Sequence, residues 1–229
     1  VAITVPDAAQ YFRSGQTVVT GYPLRQQMRA TTRAQGQQHF GLDPARRTLL
    51  VMGGSRGARS INIAVGEILA QLLQDGWQVV HITGELDWER SQEQVGALRD
   101  HPDYHAQAYL HEMGLALVAA DLVVCRSGAS TLGELPYFGI PAILVPYPYA
   151  WRYQKTNADY LADQGAALRL DDERMREELY ASIRRLAEDP SRLEAMRSQA
   201  EALGTAQGDG AARLASLLWA LAKGEKRND

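Results

Sequence analysis

The 229-residue chain has one cysteine, Cys125, so it forms no internal disulfide and fits a reducing compartment. It has no run of about 18 uninterrupted apolar residues, which excludes an ordinary transmembrane helix. No secretory signal opens it. It also lacks a basic excess: 24 Lys and Arg stand against 27 Asp and Glu, a net charge of −3. That argues against a nucleic-acid partner. Three motifs are missing. Without G-x-G-x-x-G, or a glycine-rich loop ending in Lys-Ser or Lys-Thr, dinucleotide and P-loop readings are weak. Without Asp-x-Asp, and with His101, His105 and His111 at no metal-ligand spacing, a metal bridging two phosphates has no evident ligands. No cofactor is expected. No internal repeat or low-complexity tract is found.

What the chain does have is regular alternation. Arg47 to Met52, Gln78 to Ile82, Tyr104 to Leu110, Leu122 to Cys125, Ala142 to Val145 and Ala166 to Leu170 read as strands. Helical spacing lies between them, over Ala58 to Leu73, Asp87 to Leu98, Met113 to Ala120, Thr131 to Phe138 and Tyr153 to Gln164. Continuous apolar strands alternating with helices predict an α/β fold, a doubly wound parallel sheet covered on both faces. Ligands of such sheets bind beyond the carboxyl ends of the strands. Three further helices are expected at Glu173 to Glu188, Pro190 to Leu203 and Ala211 to Lys223. Pro190 suits a helix start and Gly204 a helix end. Residues 1–40 read as the remnant of a preceding domain and its linker, with strands at Val1 to Val5 and Thr17 to Thr20. Gln35 to Pro44 reads as a polar linker. Residues 41–205 form the main domain, and residues 206–229 a helix and charged tail. The chain opens on Val1 rather than Met and is read as a fragment or processed product.

Two turns of small residues could carry chemistry. Gly53-Gly54-Ser55-Arg56-Gly57 ends the first core strand and opens a helix, where main-chain N–H groups can cradle a phosphate and Ser55 can add a hydroxyl. Such turns are also common for packing alone. The stretch from Cys125 to Glu134 repeats the pattern after DLVVC, and Glu134 could accept hydrogen bonds from a pair of sugar hydroxyls. Thr131-x-x-Glu134 equally fits a capping box, in which Glu134 reaches back to a backbone N–H. Two such turns in one sheet favour a diphosphate between them. Val145 to Asn157 forms an aromatic loop ending in a helix on which Gln154 and Asn157 share a face. These amides suit hydroxyl recognition or mere solvation. His81 could face the cleft, but a packing or hydrogen-bonding role fits better. Cys125, inside an apolar strand, is a packing residue.

These motifs resemble the C-terminal, donor-binding half of the bacterial MurG family. The resemblance is carried by Thr20-Gly21-Tyr22-Pro23-Leu24-Arg25, Gly53 to Ala58 with Asn62, His81-x-Thr83-Gly84, Arg126 to Glu134, and Val145-Pro146-Tyr147 through Gln154, Asn157 and Ala158. The resemblance implies the Rossmann-like half of a GT-B glycosyltransferase, with UDP-N-acetylglucosamine as donor, inversion at the anomeric carbon, and lipid I converted to lipid II for peptidoglycan. By position, Ser55 meets the diphosphate in a loop built on Gly53, Gly54 and Gly57. Leu110 holds uracil through its backbone, with Met113 beside it. Ala129, Ser130 and Thr131 line the phosphate turn, which Leu132 and Gly133 continue. Glu134 binds the ribose, Gln154 and Asn157 read the sugar, and Arg25 reaches in from the domain junction. Helix ends and hydroxyls then stabilise departing UDP without a metal.

The resemblance further implies that lipid I is engaged through an N-terminal domain not contained in Val1 to Asp229, where the catalytic residues are expected. It also implies a cytoplasmic protein, peripheral on the inner face of the bacterial membrane. The isolated chain is therefore expected to bind donor weakly or not at all and to turn over nothing. Three positions depart from the family's pattern: Tyr22 where Asn is usual, Arg56 where Gln is common, and Tyr153 where His or Gln is common. Competing readings are another UDP-sugar enzyme of the same architecture, such as a lipid glucosyltransferase or an epimerase, and a donor-binding subunit of a split transferase.

Overall fold

The computed structural model describes residues 1–13, 15–54, 58–149 and 153–223. Two short strands, β1 (Ala2–Ile3) and β2 (Val18–Val19), pair with each other in parallel, apart from the main sheet. Helices α1 (Gln26–Arg29) and α2 (Arg33–Phe40) follow. The main sheet is built from β3 (Thr48–Met52), β4 (Gln78–Ile82), β5 (Tyr104–Gln107), β6 (Leu122–Cys125), β7 (Ala142–Leu144) and β8 (Ala167–Arg169). All six are parallel, in the order β5-β4-β3-β6-β7-β8. The connecting helices are α3 (Arg59–Gln74), α4 (Trp88–Val95), α5 (Met113–Ala119), α6 (Thr131–Phe138) and α7 (Tyr153–Asp163). Helices α8 (Met175–Glu188), α9 (Pro190–Gln207) and α10 (Gly210–Ala222) complete the chain. Among the described residues no helix is long and apolar enough to cross a membrane.

Successive side chains of β3 point to opposite faces, as the period of a strand requires. Leu49 and Val51 enter a core with Ile61, Leu69 and Leu72 of α3 and Leu179 and Ile183 of α8. Leu50 and Met52 enter a second core with Leu117 of α5, Leu135 of α6 and Leu161 of α7. Both faces are thus covered, which is why these strands read as unbroken apolar runs. The chain leaves β3 toward β4 and β5, then returns to lay β6 on the other side of β3. This reversal puts the topological switch point between β3 and β6.

Two expectations are corrected. Residues 33–40 are not linker but helix α2. Thr32 and Gln35 form a reciprocal capping box at its start, and Gly41, at φ 67°, closes it in the left-handed region. Gly204 does not end its helix either, since α9 runs on to Gln207. At Gly204 a side chain would collide with the backbone of Pro136 in α6. The glycine is there for close helix–helix approach, not for a stop.

Candidate functional site

The two small-residue corners leave neighbouring strands side by side. Met52, the last residue of β3, pairs with Cys125, the last of β6. Gly53 and Gly54 continue one strand, and Arg126 to Ser130 continue the other. Gly54 lies at φ 84°, a conformation only glycine adopts without strain. Ser55, Arg56 and Gly57 lie outside the described residues. On the β6 side, the backbone N–H groups of Gly128, Ala129 and Ser130 donate to no described residue. They lie just before α6, whose positive dipole end adds to their pull on an anion. Gly128 has an ordinary negative φ and open space where a Cβ would stand. Among the described residues nothing requires a glycine there.

The capping box is not formed. Ser130, not Thr131, is the N-cap of α6, and it makes no side-chain cap bond. Thr131 Oγ1 instead donates to Gly128 O at 2.5 Å. Glu134 accepts a hydrogen bond from Ser130, and its carboxyl pKa is raised, mainly because burial disfavours the charge. The Ser130 bond and the positive charge of Arg25 oppose that rise. The fold therefore brings Arg25, the N-cap residue of α1, into electrostatic range of Glu134. Leu132 and Gly133 are buried behind this turn, with Gly133 packed directly on the Tyr22 side chain.

Ser127 is completely enclosed and ties the corner to α7. Its hydroxyl donates to Gln154 O at 2.7 Å, and its carbonyl accepts from Asn157 Nδ2 at 2.9 Å. Gln154 Oε1 accepts from the Tyr147 N–H at 2.9 Å. Among the described residues this leaves the Gln154 amide NH2 and the Asn157 carbonyl oxygen without partners, one donor and one acceptor on adjacent turns. Tyr147, Tyr149 and Tyr153 stand exposed around them. Leu110, just beyond β5, packs its side chain in the second core, with Met113 against the same core. Leu110 can therefore present only its backbone.

Two arrangements were not assigned site roles from the sequence. Arg126 is a hub at the end of β6. It donates to Val145 O at 3.2 Å, to Ser60 Oγ at 2.7 Å and to Asp172 Oδ1, and its guanidinium lies 5.2 Å from the Tyr147 ring centroid. Its charge is matched within the protein by Asp172. The signal was a cation directly after an apolar strand, but its partners are 66 and 46 residues away. The second is centred on His81, which is buried and hydrogen-bonded to Tyr104 and Asn62. Burial lowers its pKa to about 4, so the ring is neutral at physiological pH. Cys125 is buried too, and burial pushes its thiol pKa up, as suits a packing residue. Among the described residues no group of three or more His, Cys, Asp or Glu could hold a metal ion.

Comparison with known proteins gives one answer from several directions. A family model for the glycosyltransferase family 28 C-terminal domain matches residues 48–214. A UDP-N-acetylglucosamine–N-acetylmuramyl-(pentapeptide) pyrophosphoryl-undecaprenol N-acetylglucosamine transferase from Roseiflexus sp. (strain RS-1) is 41% identical, over 93% of this chain and 53% of its own length. The protein of the same name from Chlorobium limicola is 40% identical, over 97% of this chain and 60% of its length. The chain thus spans little more than half of these relatives. The crystal structure of Acinetobacter baumannii MurG superposes with a TM-score of 0.66 at 27% identity, over 87% of this chain and 55% of that one. The sheet order, the paired corners and these matches agree: the chain belongs to glycosyltransferase family 28, as its C-terminal domain.

Proposed function

We propose that this chain is the donor-binding half of an inverting N-acetylglucosaminyltransferase, moving N-acetylglucosamine from its UDP carrier to lipid I to give lipid II. The observation that carries this reading is the pair of small-residue corners leaving the adjacent ends of β3 and β6 at Met52 and Cys125. The β6 corner carries N–H groups that no described residue accepts from, a helix start and a half-buried carboxylate within electrostatic range of an arginine. In this reading Gly53, Gly54, Ser55 and Gly57 cradle the diphosphate from one side. Ala129, Ser130 and Thr131 wall the other side, with Leu132 and Gly133 continuing the turn behind them. Leu110 offers its backbone to uracil, and Glu134 accepts from the ribose hydroxyls. Arg25 neutralises phosphate charge, and Gln154 and Asn157 address the sugar.

Charge grows on UDP as the glycosidic bond breaks. Oriented N–H groups and a nearby guanidinium stabilise that charge more in the transition state than in the ground state. In this reading residues 41–205 are the donor domain, residues 1–40 the remnant of the preceding domain with its linker, and residues 206–229 a helix and charged tail, while the acceptor-binding half carries the catalytic base and works on the cytoplasmic face of the membrane. The isolated chain then binds UDP weakly and turns over nothing.

Calorimetric titration with UDP, UDP-N-acetylglucosamine and UDP-glucose, on wild type and Glu134→Ala, tests the reading. Loss of charged hydrogen bonds to the ribose is expected to weaken UDP binding at least about tenfold. Preference for the N-acetylated sugar identifies the donor. Equal affinity of wild type and Glu134→Ala removes Glu134 from the site.

A further inference from the structure

Tyr104, His81 and Asn62 form a directional hydrogen-bond chain beneath the first corner. Asn62 Nδ2 donates to Thr83 O at 2.9 Å and toward Asp87 Oδ2 at 3.4 Å. Its Oδ1 is therefore the atom facing His81 Nε2, at 3.0 Å, and an amide oxygen only accepts. The proton of the neutral imidazole must then sit on Nε2. That leaves Nδ1 bare, to accept from the Tyr104 hydroxyl at 2.9 Å. The chain runs Tyr104 to His81 to Asn62 to Thr83 and Asp87. Arg59 Nε closes it on Asp87 Oδ1 at 3.0 Å.

Its location gives this chain meaning. Arg59, Ser60 and Asn62 all belong to the first turn of α3, directly after the corner that starts at Gly53. Arg59 and Asn62 are held from the β4 side, and Ser60 from the β6 side by Arg126 and Asp172. The neighbours of His81 in β4 are Val79, Val80 and Ile82, all buried and apolar. A polar ring there carries a desolvation cost that apolar packing would avoid, offset only because both nitrogens are satisfied.

We propose that Tyr104, His81 and Asn62 are positioning residues for diphosphate recognition, holding the first turn of α3 so that the corner before it meets the donor's phosphates. The proposal rests on the donor-binding reading above.

The test follows amide shifts by NMR during titration with UDP and, separately, with uridine, which reads affinities as weak as about millimolar. His81→Phe is expected to weaken UDP about tenfold while moving uridine less than about twofold, since one to two buried hydrogen bonds are lost at the phosphate end only. His81→Gln, whose amide can donate to Asn62, is expected to regain most of the UDP affinity. Tyr104→Phe removes a single hydroxyl, and it serves should His81→Phe not fold. It is expected to weaken UDP by less than His81→Phe and to leave uridine unchanged. Ring nitrogen shifts are expected to show the Nε2–H form of His81 in wild type and in Tyr104→Phe alike, because Asn62 Oδ1 fixes the proton in both. Equal losses for UDP and uridine, no loss for UDP, or an Nδ1–H form in wild type would each overturn the proposal. Wild type that binds neither ligand overturns the donor-site reading itself, and this proposal with it.

Discussion

Acid should destabilise this protein through His81 before most carboxylates matter. The folded state keeps the ring neutral down to about pH 4, because burial disfavours the charged form. An unfolded histidine titrates near 6.5. Between those values the unfolded chain binds a proton that the folded chain refuses, so stability falls as pH falls. The whole window is worth about 3 kcal/mol, of which about 2 kcal/mol is lost by about pH 5. Glu134 works the other way. Its folded pKa is raised, so its cost is greatest at high pH and eases on acidification. Asp103, held low by its hydrogen bond to Arg46, loses support only as pH falls through the acid range. Both contributions cancel when wild type is compared with His81→Gln. The assay is urea denaturation of both proteins at about pH 7.5 and 5. Wild type is expected to lose about 2 kcal/mol more than His81→Gln over that interval. Parallel losses would refute the reasoning, because they would mean that the ring protonates in place.

Gly128→Ala separates binding from folding. The position has ordinary backbone and open space, so the melting temperature is expected to stay within about 1 °C, while UDP affinity falls about tenfold if phosphate approaches that backbone. Scanning calorimetry and the UDP titration read the two effects. Gly204→Ala does the reverse. A Cβ there meets the Pro136 carbonyl and pushes α9 from α6, at about 2 kcal/mol, which lowers the melting temperature by roughly 4–8 °C with the corners intact.

Much of the sheet was legible because its strands are unbroken apolar runs, and Leu122–Cys125 and Thr131–Phe138 were read with the bounds they have. Helix α2 was missed because it buries only Gly36 and Phe40 and carries no apolar stripe. Its signal was the Thr32-x-x-Gln35 capping pattern. Gly204 misled because a glycine required by a neighbouring helix looks, in one dimension, like a glycine required by a helix end. The corners were legible because small residues cluster at strand ends. The clamp around α3 was not, because Arg126 and His81 acquire their meaning from Ser60, Asp172, Asn62 and Tyr104, which only the folded chain brings near.

The enclosed hydroxyl and carbonyl of Ser127 make the β6 corner and the start of α7 a single piece of architecture. In the proposed donor site, the distance between the residues that would grip the pyrophosphate and those that would read the hexose is then fixed when the domain folds. Within that proposed site, evolution on this frame can change which sugar is accepted by exchanging the Gln154 side chain, which enters the joint only through its backbone carbonyl. Re-gauging the span between the two subsites would require dismantling the joint that also keeps the helix in place.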